Sequence, residues 1–167
     1  MAGWDRPTGR MACVSTTIAF ANQKGGVAKT TSVASVGAAL IEAGQRVLLV
    51  DMDPQGSLTF SLGIDPEDVE TSIAEVLLSK APVTDAIVIS DEGLNLVPAT
   101  IGLAAAEESL VSMTGREQRL RVSLAKVADD YDWILIDCPP ALGVLTVGSL
   151  SAADEVIVPL QAETLSH

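Results

Sequence analysis

Cysteine and long apolar runs are both scarce in this sequence of 167 residues, and each scarcity excludes a class of protein. The two cysteines, Cys13 and Cys138, are far apart and have no paired spacing, which excludes a disulfide framework or a cysteine-bound metal cluster. No apolar stretch reaches the roughly 18 residues of a membrane span, and residues 1–15 lack the apolar centre of a secretory signal. We therefore expect a short disordered lead over residues 1–15 and a cytoplasmic protein.

Positive charge is also scarce, and it is unevenly distributed. The hydrophobic content of 48% is enough for one domain with a substantial core, while the formal net charge is −12. Residues 1–60 hold five lysine or arginine residues against four acidic ones, whereas residues 61–167 hold five against eighteen. Non-specific affinity for DNA comes mainly from lysine and arginine that neutralise phosphates. The acidic balance of this chain therefore works against DNA binding.

The most informative segment that is present covers residues 24–31, which read Lys-Gly-Gly-Val-Ala-Lys-Thr-Thr. It follows an apolar run at residues 17–21 and precedes a helical pattern, so it predicts a strand, a tight glycine-containing loop and a helix N-terminus. Such a loop binds anions because its backbone N–H groups point at the ligand and the helix dipole favours negative charge. Lys29 adds a point charge for phosphate oxygens, and the Thr30 hydroxyl is placed to bind magnesium. The segment predicts nucleotide binding rather than a glycine turn between solvated lysines.

The loop departs from the ordinary pattern G-x-x-x-x-G-K-[ST]. When the pattern is aligned on Lys29, Gln23 and Ala28 stand at its two glycine positions, and a second lysine, Lys24, begins the loop. The methyl group of Ala28 would lie close to bound phosphates. We therefore expect Ala28 to adopt φ and ψ values that are open to a non-glycine residue, within the first helical turn.

Two further apolar runs end in acidic residues, as is typical of buried parallel strands whose C-terminal ends face a ligand. Residues 47–50 precede Asp51, Asp53 and the triplet Pro-Gln-Gly, and the two aspartates would project to the same side if the strand continued. Residues 133–136 precede Asp137 and the triplet Cys-Pro-Pro, the form of a Walker B strand whose aspartate holds magnesium. Each run alone is also typical of an ordinary strand end, whereas all three motifs in this order are far more specific.

The three motifs resemble those of the ParA/MinD family of ATPases, whose phosphate-binding loop begins with lysine. The likeness is carried by the loop at residues 24–31, D-x-D-P-Q-G at 51–56, D-C-P-P at 137–140 and P-x-Q-x-E at 159–163. On these segments the chain is identified as a member of the ParA-type (Soj-like) partition ATPases. The resemblance implies an α/β fold of the P-loop NTPase type, a doubly wound and mostly parallel sheet with helices on both faces.

The resemblance assigns catalytic roles to three charged residues. Asp53 is expected to lie near the γ-phosphate and to orient or activate the attacking water. Lys29 and Lys24 are expected to stabilise phosphoryl oxygens, Lys24 by reaching across a dimer to the nucleotide of a second subunit. The residues expected to bind the nucleotide are Lys24, Gly25, Gly26, Val27, Ala28, Lys29, Thr30 and Thr31.

The resemblance also implies ATP and Mg²⁺ as cofactors, and it implies partners. Thr30, Asp137 and Asp53 are expected to hold the metal, with Asp51 structural or hydrogen-bonded behind the metal ligands. An ATP-dependent homodimer is expected to drive chromosome or plasmid partition, with a ParB-type protein stimulating hydrolysis. The full-length parent is expected to bind non-specific DNA and to associate with the nucleoid, and no membrane contact is expected.

Alternating strand and helix patterns predict the order of the elements. We expect strands at about 17–21, 46–50, 94–98, 133–137 and 155–159, and helices at about 29–42, 72–80, 101–112, 115–129 and 143–151. Ser72 with Glu75 fits a capping box at a helix start, as does Thr114 with Glu117. Gly44 fits a helix stop.

The position of the last strand leads to an expectation about the domain as a whole. The chain ends just after the fifth predicted strand, so we expect a ParA-type domain over residues 16–167 that is incomplete at its C-terminus. The last strand would then leave an apolar, unpaired sheet edge. His167, at the chain end, needs no functional role.

Three alternative functions stay open on the sequence. A MinD-type membrane-cycling ATPase shares the loop but needs a C-terminal amphipathic helix. A reductase with an iron–sulfur cluster shares the fold but requires cluster cysteines, which are absent here, and Cys138 is expected to be a small packed residue. A truncated, catalytically dead nucleotide-binding module is the third alternative.

Overall fold

Within residues 15–161, the part of the chain that the computed structural model describes, six strands form one sheet. The strands are β1 Thr16–Phe20, β2 Val47–Asp51, β3 Val88–Ile89, β4 Asn95–Val97, β5 Trp133–Asp137 and β6 Glu155–Ile157. Their order across the sheet is β3-β4-β2-β5-β1-β6. Every neighbouring pair is parallel except β3 with β4, so the predicted mostly parallel sheet is confirmed.

Helices connect the strands and cover both faces of the sheet. They are α1 Lys29–Glu42, α2 Ser57–Ser61, α3 Ile73–Leu77, α4 Gly102–Val111, α5 Arg119–Leu124 and α6 Val144–Ala152. Single turns of 3₁₀ helix lie at Val83–Ala86, Arg116–Gln118 and Ala128–Asp130. None of the helices in residues 15–161 has both the length and the apolar character needed to cross a bilayer.

The core has two layers, one on each face of the sheet. Along β2, Leu48 and Val50 pack with residues of α3, α4, α5 and α6, whereas Val47 and Leu49 pack on the opposite face, where α1 and α2 lie. Successive side chains of a strand point to opposite faces, so a strand covered on both sides must be apolar at every position. The uninterrupted apolar run at residues 47–50 has this cause.

The predicted stop of the first helix is confirmed. Gly44 follows the end of α1 with a φ of +81°, a left-handed conformation that glycine adopts at little cost. Its N–H donates to the Ile41 carbonyl, and the Gln45 N–H donates to the Leu40 carbonyl. This Schellman arrangement satisfies two carbonyls that the helix end would otherwise leave unpaired.

The predicted long helix at residues 115–129 is wrong as a single element. It is divided into α5 and two flanking 3₁₀ turns, and Gly115 caps its start with a φ of +69°. Thr114 is therefore not the N-cap, and its predicted capping box is wrong, whereas the box at Ser72 is present. The apolar stripe is nevertheless confirmed, since Leu120, Leu124 and Val127 are all buried. Leu120 and Leu124 belong to α5 itself, and Val127 lies just before the second 3₁₀ turn.

The ends of other elements also differ from the prediction. The helix expected at residues 72–80 ends early, because Ser79 adopts a left-handed φ of 58°. The helix α2 and the strand β3 were not predicted; each is five residues or fewer, too short for a clear periodic pattern.

The two sheet edges are unlike each other. The edge strand β3 has two residues and runs antiparallel to β4. At the other edge, Val156 and Ile157 of β6 are exposed, as is Val158 just after it, in agreement with the expectation of an apolar edge.

Residues 1–14 and 162–167 lie outside the described residues. The predicted lead (apart from Ser15), the last two residues of the P-x-Q-x-E segment and His167 therefore lie there too.

We predict that Ser72→Ala lowers the free energy of unfolding by about 1 kcal/mol, the usual cost of losing an N-cap. The Ser72 hydroxyl accepts from the Ala74 N–H at 3.2 Å, and Glu75 accepts from the Ser72 N–H at 2.9 Å. Urea unfolding measures the change. Thr114→Ala is the matched control and should stay within about 0.5 kcal/mol, because Thr114 caps no helix. Equal losses in the two variants would contradict the assignment.

Candidate active site

The three sequence motifs meet at one edge of the sheet. β1, β5 and β2 are adjacent and parallel, and the register pairs Asp137 at the end of β5 with Phe20 of β1 and with Asp51 of β2. Parallel strands present their carboxyl ends at the same edge, where open α/β sheets bind their ligands. The loop at residues 21–28 connects β1 to α1 at this edge.

The loop turns into α1 through two residues with positive φ. Gly26 has a φ of +73°, and Ala28, the N-cap of α1, has φ 61° and ψ 31°. The expectation that Ala28 adopts a conformation open to non-glycine residues in the first helical turn is therefore wrong. The left-handed conformation costs a residue with a Cβ roughly 1–2 kcal/mol. The backbone at this position is held by Ser32, because the Ala28 carbonyl accepts its N–H at 2.9 Å and its hydroxyl at 2.7 Å.

The start of α1 contacts the end of β5. Lys29, the first residue of the helix, is buried. The hydroxyl of Thr30 donates a hydrogen bond of 2.6 Å to Oδ2 of Asp137. Two of the predicted site residues, 107 positions apart in the sequence, are thus in direct contact.

Asp137 is a buried carboxyl group with one unsatisfied oxygen. Its Oδ1 has no hydrogen-bond partner among the described residues. Burial raises the pKa of Asp137 to about 7, the hydrogen bond from Thr30 and the charge of Lys29 act against that rise, and the charges of Asp51 and Asp53 add to it. A buried carboxylate oxygen without a partner is costly. A cation would satisfy it.

The donor atoms beside this oxygen fit magnesium, a hard cation that binds one or two carboxylates, waters and phosphate oxygens. A carboxylate oxygen of Asp137 and the hydroxyl of Thr30 lie together at the start of α1. Across residues 15–161, no group of three His, Cys, Asp or Glu side chains is arranged to hold a metal alone. The remaining ligands would come from a nucleotide and water. The predicted metal role of Asp53 stays a prediction.

Asp51 is fully buried, and both of its carboxylate oxygens accept hydrogen bonds. Its Oδ1 accepts from the Asp53 N–H at 3.0 Å, and its Oδ2 accepts from the N–H and the hydroxyl of Thr59 at 2.9 and 2.8 Å. Burial raises the pKa of Asp51 to about 6, and the bonds from Thr59 limit that rise. We expected Asp51 and Asp53 to project to the same side if the strand continued. β2 ends at Asp51, so the alternation of side chains along the strand does not extend to Asp53.

Asp53 lies in a tight turn beyond β2. Its Oδ1 accepts from the Gln55 N–H, and its carbonyl accepts from the Gly56 N–H, both at 2.9 Å. The carboxylate is half-buried, and its charge contributes to the raised pKa values of Asp51 and Asp137. The turn therefore holds a third carboxylate near the other two.

Lys24 begins the loop and is exposed. Its N–H donates to Oδ1 of Asn22 at 2.9 Å, and Nδ2 of Asn22 donates to the Pro159 carbonyl at 2.8 Å. Asn22 thus links the loop to the segment after β6. Sequence reasoning missed this role, although an asparagine directly after a strand and before a glycine loop is a known turn signal.

Thr59 was also missed, and nothing in the sequence marks it. Its backbone N–H and hydroxyl reach back eight positions to Asp51, and its hydroxyl oxygen accepts from the Ala99 N–H across forty positions. Such contacts follow from the fold rather than from local pattern.

An apolar pocket flanks the loop. Its lining residues are Ala21, Asn22, Gln23, Pro139, Pro140, Ala141, Leu142, Thr146 and Leu150. Beside it, Cys138 is buried, and this burial raises the pKa of its thiol to about 12. A thiol in that state is inert, which agrees with the expectation of a packed residue.

The loop contains glycine and lies between a buried strand and a helix. Lys29 and Thr30 are at the helix start, and Asp137 ends β5, the strand adjacent to β1 in the sheet. This arrangement defines a P-loop NTPase-like site. The AAA_31 family model, described as an AAA domain, matches residues 15–167. The chain belongs to this family of ParA/MinD-type ATPases.

Curated relatives support the assignment. The sporulation initiation inhibitor protein Soj of Bacillus subtilis is 50% identical over 147 residues, which are 87% of this chain and 58% of Soj. The chromosome partitioning protein ParA of Myxococcus xanthus is 46% identical over 162 residues, which are 96% of this chain and 55% of that protein. The chain therefore spans about half the length of these relatives.

A solved structure gives the same result for the fold. A Mycobacterium smegmatis protein described as cobyrinic acid a,c-diamide synthase, with a bound ATP analogue and magnesium, is 59% identical with a TM-score of 0.89. The match covers 92% of this chain and 63% of that protein. The predicted P-loop NTPase fold is confirmed.

We predict that Ala28→Gly raises the free energy of unfolding by roughly 0.5–1 kcal/mol. Relief of the left-handed backbone should exceed the entropy that glycine adds to the unfolded chain. Gly26→Ala is the matched control, since it has a φ of +73° and an added Cβ would meet no atom within 4 Å. It should lower stability by about 1 kcal/mol for the backbone reason alone. A loss of stability in Ala28→Gly would contradict the left-handed assignment.

We also predict that Asp137→Asn stabilises the nucleotide-free chain in a pH-dependent way. The pKa of Asp137 is raised from 3.8 to about 7, so the folded state disfavours the charged form. The resulting destabilisation grows as pH rises from about 4 to about 7 and is constant above that range. Melting temperatures at pH 5 and pH 8 should show a larger gain for the variant at pH 8. A gain independent of pH would contradict a buried, raised carboxyl group.

Proposed function

We propose that this chain binds ATP with Mg²⁺ at residues 24–31 and hydrolyses it, and that the cycle controls a homodimer that serves chromosome or plasmid partition. The observation that carries the proposal is the contact between Thr30 and Asp137 at the start of α1, with Oδ1 of Asp137 unpaired among residues 15–161. A nucleotide site supplies what this arrangement lacks, namely a cation with phosphate oxygens around it. The family relationship supports the same conclusion.

Lys29 and the backbone of the loop would bind the phosphates. The buried lysine begins α1, where its charge adds to the positive end of the helix dipole. Thr30 and Asp137 would hold Mg²⁺, and a magnesium ion there would neutralise charge on the phosphate oxygens. The charge of Lys29 already acts on Asp137, which supports their placement in one site.

Asp53 would orient the attacking water. Its support is the tight turn that fixes the carboxylate at the end of β2 and the effect of its charge on Asp137. Asp53 is only half-buried, so water can reach it. A positioned carboxylate that accepts a proton from water is a common contribution to phosphoryl transfer.

Lys24 would act across the dimer. It is exposed at the start of the loop, and its backbone is held by Asn22. From that position the ammonium group would stabilise negative charge on the nucleotide of a second subunit. By its family the protein would be cytoplasmic, with a ParB-type partner that stimulates hydrolysis. Non-specific DNA binding is assigned to the full-length parent, because residues 61–167 are strongly acidic.

A nucleotide-binding module without turnover is the second candidate. The observation that favours it is length, since the match covers 58% of Soj and 55% of the Myxococcus ParA. Residues that these relatives carry elsewhere would then be needed for hydrolysis. Measurements of binding and of phosphate release separate the two candidates.

We predict that Mg²⁺-ATP at about 100 times its dissociation constant stabilises the chain by roughly 2.7 kcal/mol, and that Lys29→Ala abolishes this gain. The lysine supplies the positive charge that the phosphates require at the start of α1. Thermal unfolding with and without Mg²⁺-ATP measures the effect, and the ligand-free transition of the variant shows that it is still folded. If Mg²⁺-ATP does not shift the thermal unfolding of the unaltered chain, the proposal is contradicted.

Asp53→Ala is the matched control for turnover. It should retain the stabilisation by Mg²⁺-ATP and the ATP-dependent dimer, but release no phosphate. Stabilisation without phosphate release in the unaltered chain would select the second candidate. Normal hydrolysis by Asp53→Ala would contradict the role given to Asp53.

A further inference from the structure

A chain of hydrogen bonds links the end of β4 to the turn that carries Asp53. The Ala99 N–H donates to the Thr59 hydroxyl oxygen at 3.0 Å, and that hydroxyl donates to Oδ2 of Asp51 at 2.8 Å. Oδ1 of Asp51 then accepts from the Asp53 N–H at 3.0 Å. Thr59 is the only member of this chain whose side chain both donates and accepts.

This series of hydrogen bonds is buried from Ala99 to Asp51. Ala99, Thr59 and Asp51 are each 0% exposed. Solvent therefore does not compete for these bonds, and each group depends on its partner in the protein. The Thr59 N–H also donates to Oδ2 of Asp51, so one residue holds the carboxylate through two bonds.

A hydrogen-bonded carboxylate is restricted to one rotamer, and that rotamer determines where Oδ1 lies. The hydrogen bond from the Asp53 N–H to Oδ1 of Asp51 anchors the peptide group between Met52 and Asp53. A movement of Oδ1 would therefore move this peptide group. The side chain of Asp53 is in turn fixed to Gln55 at 2.9 Å. A change at Thr59 would therefore reach Asp53 without touching it.

We propose that Thr59 is a positioning residue for Asp53, and that its hydroxyl holds the water-orienting carboxylate in register through Asp51. The inference rests on the proposed function, because it assigns Asp53 a part in hydrolysis. Catalytic groups must be held to within about 0.5 Å, and a misplacement of about 1 Å can cost a hundredfold in rate. Thr59 would thus affect turnover more than nucleotide affinity.

A role in packing alone makes a different prediction. Valine has nearly the volume of threonine, so it fills the same buried space on α2 but lacks the hydroxyl. Serine loses the methyl group but keeps the hydroxyl. If only packing matters, Thr59→Val is the milder change; if the hydrogen bonds matter, Thr59→Ser is milder.

The first experiment compares Thr59→Val and Thr59→Ser in ATP hydrolysis and in nucleotide affinity. We expect kcat to fall about tenfold or more in the valine variant, with the dissociation constant of Mg²⁺-ATP changed less than about threefold, and serine to restore most of kcat. Thr100→Val is the matched control. Its hydroxyl lies 3.5 Å from that of Ser72 and is outside the chain of bonds, so kcat should be unchanged.

The second experiment needs no turnover. Amide hydrogen exchange of the nucleotide-free protein, resolved by NMR, reports the Asp53 N–H directly. This amide bonds to Asp51 rather than to Thr59, so faster exchange in Thr59→Val but not in Thr59→Ser would show that the effect is transmitted. Faster exchange of the Ala99 amide alone would be the local effect of a lost acceptor.

The outcomes separate this inference from the function on which it rests. Unchanged exchange of the Asp53 amide, or unchanged kcat in Thr59→Val, would overturn the positioning role. Equal losses of kcat in the valine and serine variants would also overturn it, in favour of packing. Absence of phosphate release from the unaltered chain would overturn the proposed function and the catalytic part of this inference, while the amide measurement would still decide whether Thr59 positions Asp53.

Discussion

The parallel register of β2, β5 and β1 is the constraint on which the site depends. It places Asp51 beside Asp137 and brings both to the end of the strand that leads into the loop at residues 21–28. The pairing requires strands that are covered on both faces, and such strands are apolar up to the residue where they end. The same requirement that builds the core therefore brings buried carboxylates to the edge where the loop begins.

Much of this could be predicted from the sequence, because the signals are local. Residues 47–50 and 133–136 are uninterrupted apolar runs, and each is followed by an aspartate that the structure places at a strand end. The loop at residues 24–31 contains its own ligand chemistry. The order of the motifs identified the family, and the resemblance to that family predicted the mostly parallel sheet. Local pattern was sufficient wherever the strand, the turn and the functional residue are neighbours in the chain.

The features that were missed depend on tertiary contacts or on backbone conformation. Thr59 has no local signal, since its partners are eight and forty positions away. The helix at residues 115–129 kept its apolar stripe but not its continuity, because the short α5 carries Leu120 and Leu124 to the core and Val127 reaches it from the turn that follows. Ala28 was expected to be helical, yet the path from the loop into α1 requires a left-handed residue. A periodic pattern reports which side chains are buried, and it does not report φ.

The two buried aspartates show how one environment can produce two roles. Burial raises the pKa of both, to about 6 for Asp51 and about 7 for Asp137. Asp51 accepts three hydrogen bonds, which limit the rise of its pKa and leave neither oxygen without a partner. Asp137 accepts one bond from Thr30, and its other oxygen has no partner among the described residues. Neighbouring buried carboxylates thus differ in whether their oxygens have hydrogen-bond partners within the protein. Asp51 is therefore part of the scaffold, and Asp137 is the residue whose burial a bound cation would compensate.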